Sequence, residues 1–472
     1  MIPKTSYRFF HGVVRCICLA AILPAFFPAS AKADIPLLSD IIVAYNAGAI
    51  EGSLKNGTYR GEEGILRIGP DTGRELGLDT FVNAHYREAK ALYESADRLY
   101  GDAWRVLKSA GSRPCNDARI KRLAGLAAQY NGAVGTARER MLRYHAGAAL
   151  EADQRLNREV CLELMDRLLS KSFVTARNNL RDALGYFYNM CAGENNDGPP
   201  LSPANIRFVN HVFREFSARA SKETLGRYDL DRNGRNGQTI SSEAWKPALG
   251  DAEAPYGLIL ESVLTARKRA GAYMLDPLLF MAMIRQESNF NPRDVSHAGA
   301  AGLTQIMPAT GKDMGMKNIF SPPYFKEARA FTIRERELRR SARALIPKIR
   351  SSDMTASARR ACELMRSSGE NRKKRVSLYK RYKKELLRNG GDDRLNPEKS
   401  IRYGYRYFSE MMRMHEGDIS LALAAYNAGP HRVKQYNGIP PFTETVDYRN
   451  RVLRHYRGYL RRLKHAGGAS AG

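Results

Sequence analysis

The 472-residue chain predicts an all-α protein, and three observations carry that prediction. Apolar residues recur at three- and four-residue spacing, as at Tyr86, Ala89, Leu92, Tyr93, Ala96, Leu99 and Tyr100, which is how one buried helix face reads. Helix starts and stops punctuate the second half: Asp276-Pro277 opens a run that Asn291-Pro292 closes, and Leu421, Leu423, Ala424 and Ala425 lead into Gly429-Pro430. Between them lie basic segments at 333 to 350 and 372 to 388, where Leu338, Ala342, Leu345 and Ile346 again fall at helical spacing. The length suggests about two or three domains.

Taken from the start, residues 1–33 place Lys4, Arg8 and Arg15 before an apolar run from Cys16 to Phe27 and end in Ala31-Lys32-Ala33, the form of an export signal cleaved before Asp34. A retained anchor helix is the alternative, opposed by the short run and by Pro24 and Pro28. Cys16 and Cys18 lack the small preceding residue a lipoprotein would have. No other run approaches the roughly 20 apolar residues a bilayer requires, so the mature chain is expected to be exported, to the periplasm, without a transmembrane segment. Cys115, Cys161, Cys191 and Cys362 remain after cleavage. Disulfides persist in such a compartment, but the pairing stays open, and a buried thiol suits Cys161 in the pattern Val160, Cys161, Leu164, Leu168 equally well.

Residues 34–255 read as an α-helical accessory domain, helical from about 82 to 171, with helices at 116 to 145, 147 to 170 and 172 to 191. The loop Gly193-Glu194-Asn195-Asn196-Asp197-Gly198-Pro199-Pro200 breaks the array, and Ser202 caps the next helix. Two stretches there imitate motifs. Ala44-Tyr45-Asn46-Ala47-Gly48 repeats a later Tyr-Asn-Ala-Gly block without its flanks and reads as coincidence. Asp229-Leu230-Asp231-Arg232-Asn233-Gly234 opens like a calcium loop, but Asn236 and Ile240 stand where an apolar residue and a bidentate Glu belong, and Glu243 comes three residues late. It reads as a solvated turn, and neither a metal site nor a cofactor is expected.

A formal charge of +27 favours polyanionic partners. Export makes nucleic acid the poorer choice and a cell-wall polymer with free carboxylates the better one. Residues 321–394 concentrate this charge, with 22 Lys and Arg against 9 Asp and Glu. They read either as a solvated helical excursion or as a positive flap beside a substrate groove.

The most informative stretch is Glu287-Ser288-Asn289-Phe290-Asn291-Pro292, followed by Val295-Ser296-His297-Ala298-Gly299-Ala300-Ala301-Gly302-Leu303 and Gln305-Ile306-Met307-Pro308. Ile284, Met283 and Phe280 lie three, four and seven residues before Glu287, so its carboxyl projects from an apolar helix face. Burial there disfavours the ion and raises the pKa, as a general acid at neutral pH requires. Small residues at 299–302 let backbone approach a ligand closely. Ala424-Ala425-Tyr426-Asn427-Ala428-Gly429-Pro430 and Pro440-Pro441-Phe442-Thr443-Glu444-Thr445-Val446-Asp447-Tyr448 come downstream, the latter with Glu444 and Tyr448 on one helix face.

These three blocks, in this order, resemble the soluble lytic transglycosylases, whose catalytic domain is similar to goose-type lysozyme. The resemblance implies a lysozyme-like α-helical catalytic domain over 256–463, interrupted by the basic insertion at about 318–394, with a flexible tail at 464–472. It implies peptidoglycan glycan strands as substrate and Glu287 as the single acid and then base that leaves 1,6-anhydro-muramoyl ends. By the same resemblance Ser296, Gln305, Met307, Tyr426, Asn427, Glu444 and Tyr448 line the substrate cleft: Ser296 near the acetamido group, Tyr426 orienting the acid, Glu444 supporting sugar binding. The N-terminal domain or the insertion would dock a cell-wall or secretion-machinery protein. The chain departs from the family pattern at Ser400, where Asn is usual, and at His431, where a small residue is. Two other readings stand beside this one: a hydrolase of goose-lysozyme type, and a catalytically idle wall-binding or assembly protein.

Overall fold

The computed structural model describes residues 35–148, 153–194, 197–229, 245–270, 273–349 and 353–468, with side chains to 465. The expected export signal and the calcium-loop-like stretch from residue 230 onward lie outside the described residues. Helices dominate; among the described residues β structure is confined to four isolated bridges. No helix there is long and apolar enough to cross a membrane.

Two compact units divide the chain. One consists of residues 1–53, 62–80 and 152–231. Helix α1 (Ile35–Asn46) begins it; α2 (Ala49–Asn56) crosses its boundary, and α3 (Pro70–Glu75) is a short helix opened by Pro70. Then come α6 (Arg158–Thr175), α7 (Leu180–Cys191), α8 (Ile206–Arg219) and α9 (Lys222–Gly226). Leu38, Ile41 and Ile42 of α1 are buried with Leu168 and Leu169 of α6 and Val209 and Val212 of α8, helices that pack on one another. The apolar pattern predicts continuous helices at 147–170 and 172–191. The structure divides them differently because Asp153 and Asn157 cap successive turns, and because Arg177 and Asn178 adopt the left-handed conformation before Asn179 caps α7.

The other unit consists of residues 54–61, 81–151 and 232–472. Its first part is an antiparallel hairpin of α4 (Ala84–Ser109) and α5 (Asp117–Ala148). Next come α10 (Ala254–Arg269), α11 (Pro277–Ser288) and the short α12 (Pro308–Asp313). The basic insertion is a second hairpin, α13 (Pro323–Leu345) and α14 (Met354–Asn389). Helices α15 (Pro397–Met414), α16 (Ile419–Ala428), α17 (Pro430–Tyr436) and α18 (Thr443–Gly468) complete it.

This grouping differs from the single break expected near residue 255, because the two hairpins share a core. Ala103, Leu107, Ile120, Leu123 and Ala127 of the first are buried against Ala342, Ile346, Ala358, Ala361 and Cys362 of the second. At Gly369 of α14 the backbone comes so near that a Cβ would sit 1.8 Å from the carbonyl oxygen of Gly111. Only residues without side chains permit that approach. The insertion is therefore no free flap: its apolar stripe faces the first hairpin, and its charge lies on the remaining faces. Cys115 borders this core beside Cys362, whose thiol is pushed up to about 12 by burial and then by Cys115; all four described cysteines carry free thiols.

Candidate active site

Helix α11 sets the site. Asp276 caps it by accepting from the amides of Leu278 (2.8 Å) and Leu279 (3.4 Å), and Pro277 occupies the first turn. The Tyr456 hydroxyl of α18 donates to the other Asp276 oxygen at 2.6 Å, tying the start of α11 to the last helix. Pro277 through Ile284 are all buried, so the helix threads the core and delivers Glu287 at its far end. Asn289 and Phe290, both at positive φ, stop it just beyond.

Glu287 is half-buried, and its Oε1 accepts a 2.7 Å hydrogen bond from the hydroxyl of buried Tyr448. Burial pushes its pKa from 4.5 up to about 8; the Tyr448 hydrogen bond pulls the other way, and the nearby Glu444 charge adds to the rise. No lysine or arginine contributes. At neutral pH the carboxyl is thus mostly protonated and able to give up a proton. Burial also raises Tyr448 and Tyr426 well above the usual tyrosine range, so both remain hydroxyl donors.

The 295–308 loop packs against the end of α11, where Ser288 Oγ donates to the Leu303 carbonyl at 2.9 Å. Bridges Val295 to Ala301 and Ala301 to Ile306 fold it back on itself. Its shape depends on Gly302, at φ 79°, where a Cβ would lie 1.7 Å from the carbonyl oxygen of Arg394. Ser296 Oγ accepts from the amides of Ala298 (3.2 Å) and Ala300 (3.0 Å), turning the loop. Gln305, at φ 46°, spends its amide nitrogen on the carbonyls of Gly302 (2.9 Å) and Asp294 (3.1 Å). Met307 caps α12 and packs against the apolar base of the loop. Tyr426 donates to the Thr304 carbonyl at 2.6 Å and not to Glu287, while Asn427 accepts from Thr445 at 2.8 Å. Glu444 is exposed. The structure thus gives Tyr448 the contact to the acid that the resemblance assigned to Tyr426.

Two contributors escaped the sequence. Arg394 and Asp392 form a fully buried pair at 2.7 Å, and the guanidinium donates on to the carbonyls of Gly299 and Ile306, pinning both strands of the loop. The run Asp392-Asp393-Arg394 ahead of a helix start was the available signal. Ser400 accepts from the amide of Thr304 at 3.3 Å and its carbonyl receives the Thr304 hydroxyl at 3.0 Å, so the departure from Asn leaves this anchoring intact. His431 is exposed and apart from these contacts. Among the described residues no group of three His, Cys, Asp or Glu side chains could hold a metal.

Residues 265–329 and 364–447 match the family model described as the transglycosylase SLT domain, and the gap falls inside the insertion hairpin. A transglycosylase of Enterobacteria phage PRD1 is 48% identical over 50 residues, 11% of this chain and 19% of that protein. A membrane-bound lytic murein transglycosylase C of Actinobacillus pleuropneumoniae serotype 5b (strain L20) is 38% identical over 81 residues, 17% of this chain and 21% of that protein. The chain therefore spans about a fifth of the length of these relatives. Among solved structures, the 70 kDa soluble lytic transglycosylase from Escherichia coli aligns over 95% of this chain and 84% of its own at 14% identity, with a TM-score of 0.27.

Proposed function

We propose, from the match of residues 265–329 and 364–447 to the transglycosylase SLT domain, that the chain is an exported peptidoglycan lytic transglycosylase with Glu287 as its only catalytic carboxyl. Glu287, protonated in its apolar seat, donates to the glycosidic oxygen between N-acetylmuramic acid and N-acetylglucosamine. The resulting carboxylate takes the proton of the muramoyl C6 hydroxyl as that oxygen attacks C1. Bond cleavage and ring closure then leave a 1,6-anhydro end and restore the acid. Tyr448 holds the carboxyl in place throughout, and as a hydrogen-bond donor it steadies the transient carboxylate.

The single observation that carries this reading is the half-buried Glu287 carboxyl held at 2.7 Å by the hydroxyl of buried Tyr448, its pKa pushed up to about 8 by burial with no lysine or arginine contributing. A two-carboxylate glycosidase would need a second acid at defined separation. The other carboxylate that bears on Glu287 is Glu444, which is exposed and unfixed by any hydrogen bond, a poor nucleophile but a suitable sugar contact. Mass spectrometry of digested sacculi tests the proposal: anhydro ends from the wild type and none from Glu287→Gln are expected. Reducing ends would instead identify a hydrolase, and undiminished lysis by the variant would remove Glu287 from the chemistry.

A further inference from the structure

Residues 61–70 and 299–308 are the same structure twice. Gly61-Glu62-Glu63-Gly64-Ile65-Leu66-Arg67-Ile68-Gly69-Pro70 parallels Gly299-Ala300-Ala301-Gly302-Leu303-Thr304-Gln305-Ile306-Met307-Pro308. Gly61 and Gly299 adopt φ 95° and 92°, Gly64 and Gly302 70° and 79°, Arg67 and Gln305 53° and 46°. Bridge Glu63 to Ile68 corresponds to bridge Ala301 to Ile306. A Cβ on Gly64 would meet the carbonyl oxygen of Arg155 at 1.7 Å, as one on Gly302 would meet that of Arg394.

The correspondence extends outward from this loop. Arg155 and Asp153 form a fully buried pair at 2.6 Å, and the guanidinium donates to the carbonyl of Ile68 (2.9 Å) as Arg394 does to that of Ile306 (3.3 Å). In the first hairpin the Tyr144 hydroxyl donates to the Phe81 carbonyl at 3.1 Å with the two rings stacked; in the second, Tyr382 does the same to Phe320 at 3.1 Å. Helices α1, α3, α6, α7 and α8 share the order of α11, α12, α15, α16 and α18, and each set has its hairpin at the same place. Agreement in glycine conformation, buried ion pair and ring stacking together leaves duplication as the physical account.

The two copies differ where the chemistry is. The last turn of α11 supplies Glu287, set against Tyr448 of α18. The last turn of α1 supplies Tyr45 and Asn46 and no acid. Asn46 donates to the Ile65 carbonyl at 2.8 Å, and the Tyr45 ring lies 5.4 Å from that of Phe208 on α8. Tyr188 of α7 packs on the same ring at 5.4 Å, and His211 lies 5.0 Å from Tyr45. Arg67 stands where Gln305 does, its Nε buried without a partner, and its charge and that of Glu194 reach the Tyr188 hydroxyl. Tyr45, Tyr188 and His211 are half-buried and so reach the surface. This turn offers no carboxyl, whereas aromatic faces beside a cation and a carboxylate suit a pyranose ring and its hydroxyls.

We propose that residues 35–80 and 153–229 form a duplicate of the catalytic module that has exchanged its acid for the Tyr45–Phe208–Tyr188 cluster and holds a second glycan strand without cleaving it. The inference rests on the peptidoglycan reading above. Titration calorimetry of the full chain carrying Glu287→Gln with soluble, uncrosslinked GlcNAc-MurNAc strands tests it. Two sites per chain are expected, falling to one when Tyr188→Ala is added. Arg67→Ala, which leaves the cluster packed, should weaken the second site at least tenfold and guards against a folding defect in the first variant. One site before any change in the first module, or two sites unaffected by both variants, overturns the proposal while leaving the catalytic reading standing. Absence of binding altogether, with no anhydro ends from the wild type, would sink both.

Discussion

Replacing Glu287 by Gln should make the protein more stable, and increasingly so as pH rises. The carboxyl titrates near 8 in the folded protein and at 4.5 in the unfolded chain. Its neutral form is therefore the one the fold accepts. Below pH 4.5 both states hold the proton and nothing is lost; between 4.5 and 8 the unfolded chain ionises while the folded one resists, and stability declines; above 8 the loss is complete. At about 1.4 kcal/mol per pKa unit the full shift corresponds to roughly 5 kcal/mol. Glu287 opens to water on one side, so about half of that, roughly 2–3 kcal/mol, is the working figure. Glutamine has the same shape without the titration. Across melting curves of both proteins at pH 5, 6, 7 and 8 the difference should grow by roughly 2–3 kcal/mol in total, each kcal/mol appearing as about 2–4 °C in a domain of 150–250 residues. All other groups titrate alike in the two proteins and cancel. Curves that stay parallel from pH 5 to 8 would mean an ordinary carboxyl, and the general-acid role would fail with it.

Two further outcomes concern the site. Tyr448→Phe removes the hydrogen bond that lowers the Glu287 pKa, so the alkaline limb of the pH–rate profile should move upward while turnover falls about tenfold; a limb that moves downward would contradict the assigned geometry. Arg394→Ala strands Asp392 in the core and should cost about 3–5 kcal/mol in denaturant unfolding, whereas the apolar pair Asp392→Leu with Arg394→Met should recover most of it.

The helices were legible because burial writes its period into sequence: Asp276-Pro277 and Asn291-Pro292 alone bound α11. The acid was legible too, since Phe280, Met283 and Ile284 precede it on one face. What escaped was long-range pairing. Nothing local says that Tyr448 gives its hydroxyl to Glu287 while neighbouring Tyr426 gives its own to Thr304, or that Arg394 returns to the loop at 299–306, because these partners lie far apart in the chain. The repeat escaped for a related reason. Its signature is mainly glycines at fixed φ and one proline, residues whose meaning is conformational, and the side chains that would have advertised kinship are those that changed. The Ala44–Gly48 stretch resembles the block at Tyr426 in letters only; it sits at the end of α1, in the place of Glu287.

The seam around Ala358, Ala361 and Cys362 bears on how this chain can be trimmed. Excising residues 323–389 would strip the cover from Leu107, Leu123 and their neighbours, baring an oily strip on the surviving hairpin. Clumping in the test tube, rather than a loss of the proposed activity, is what such a truncation would report.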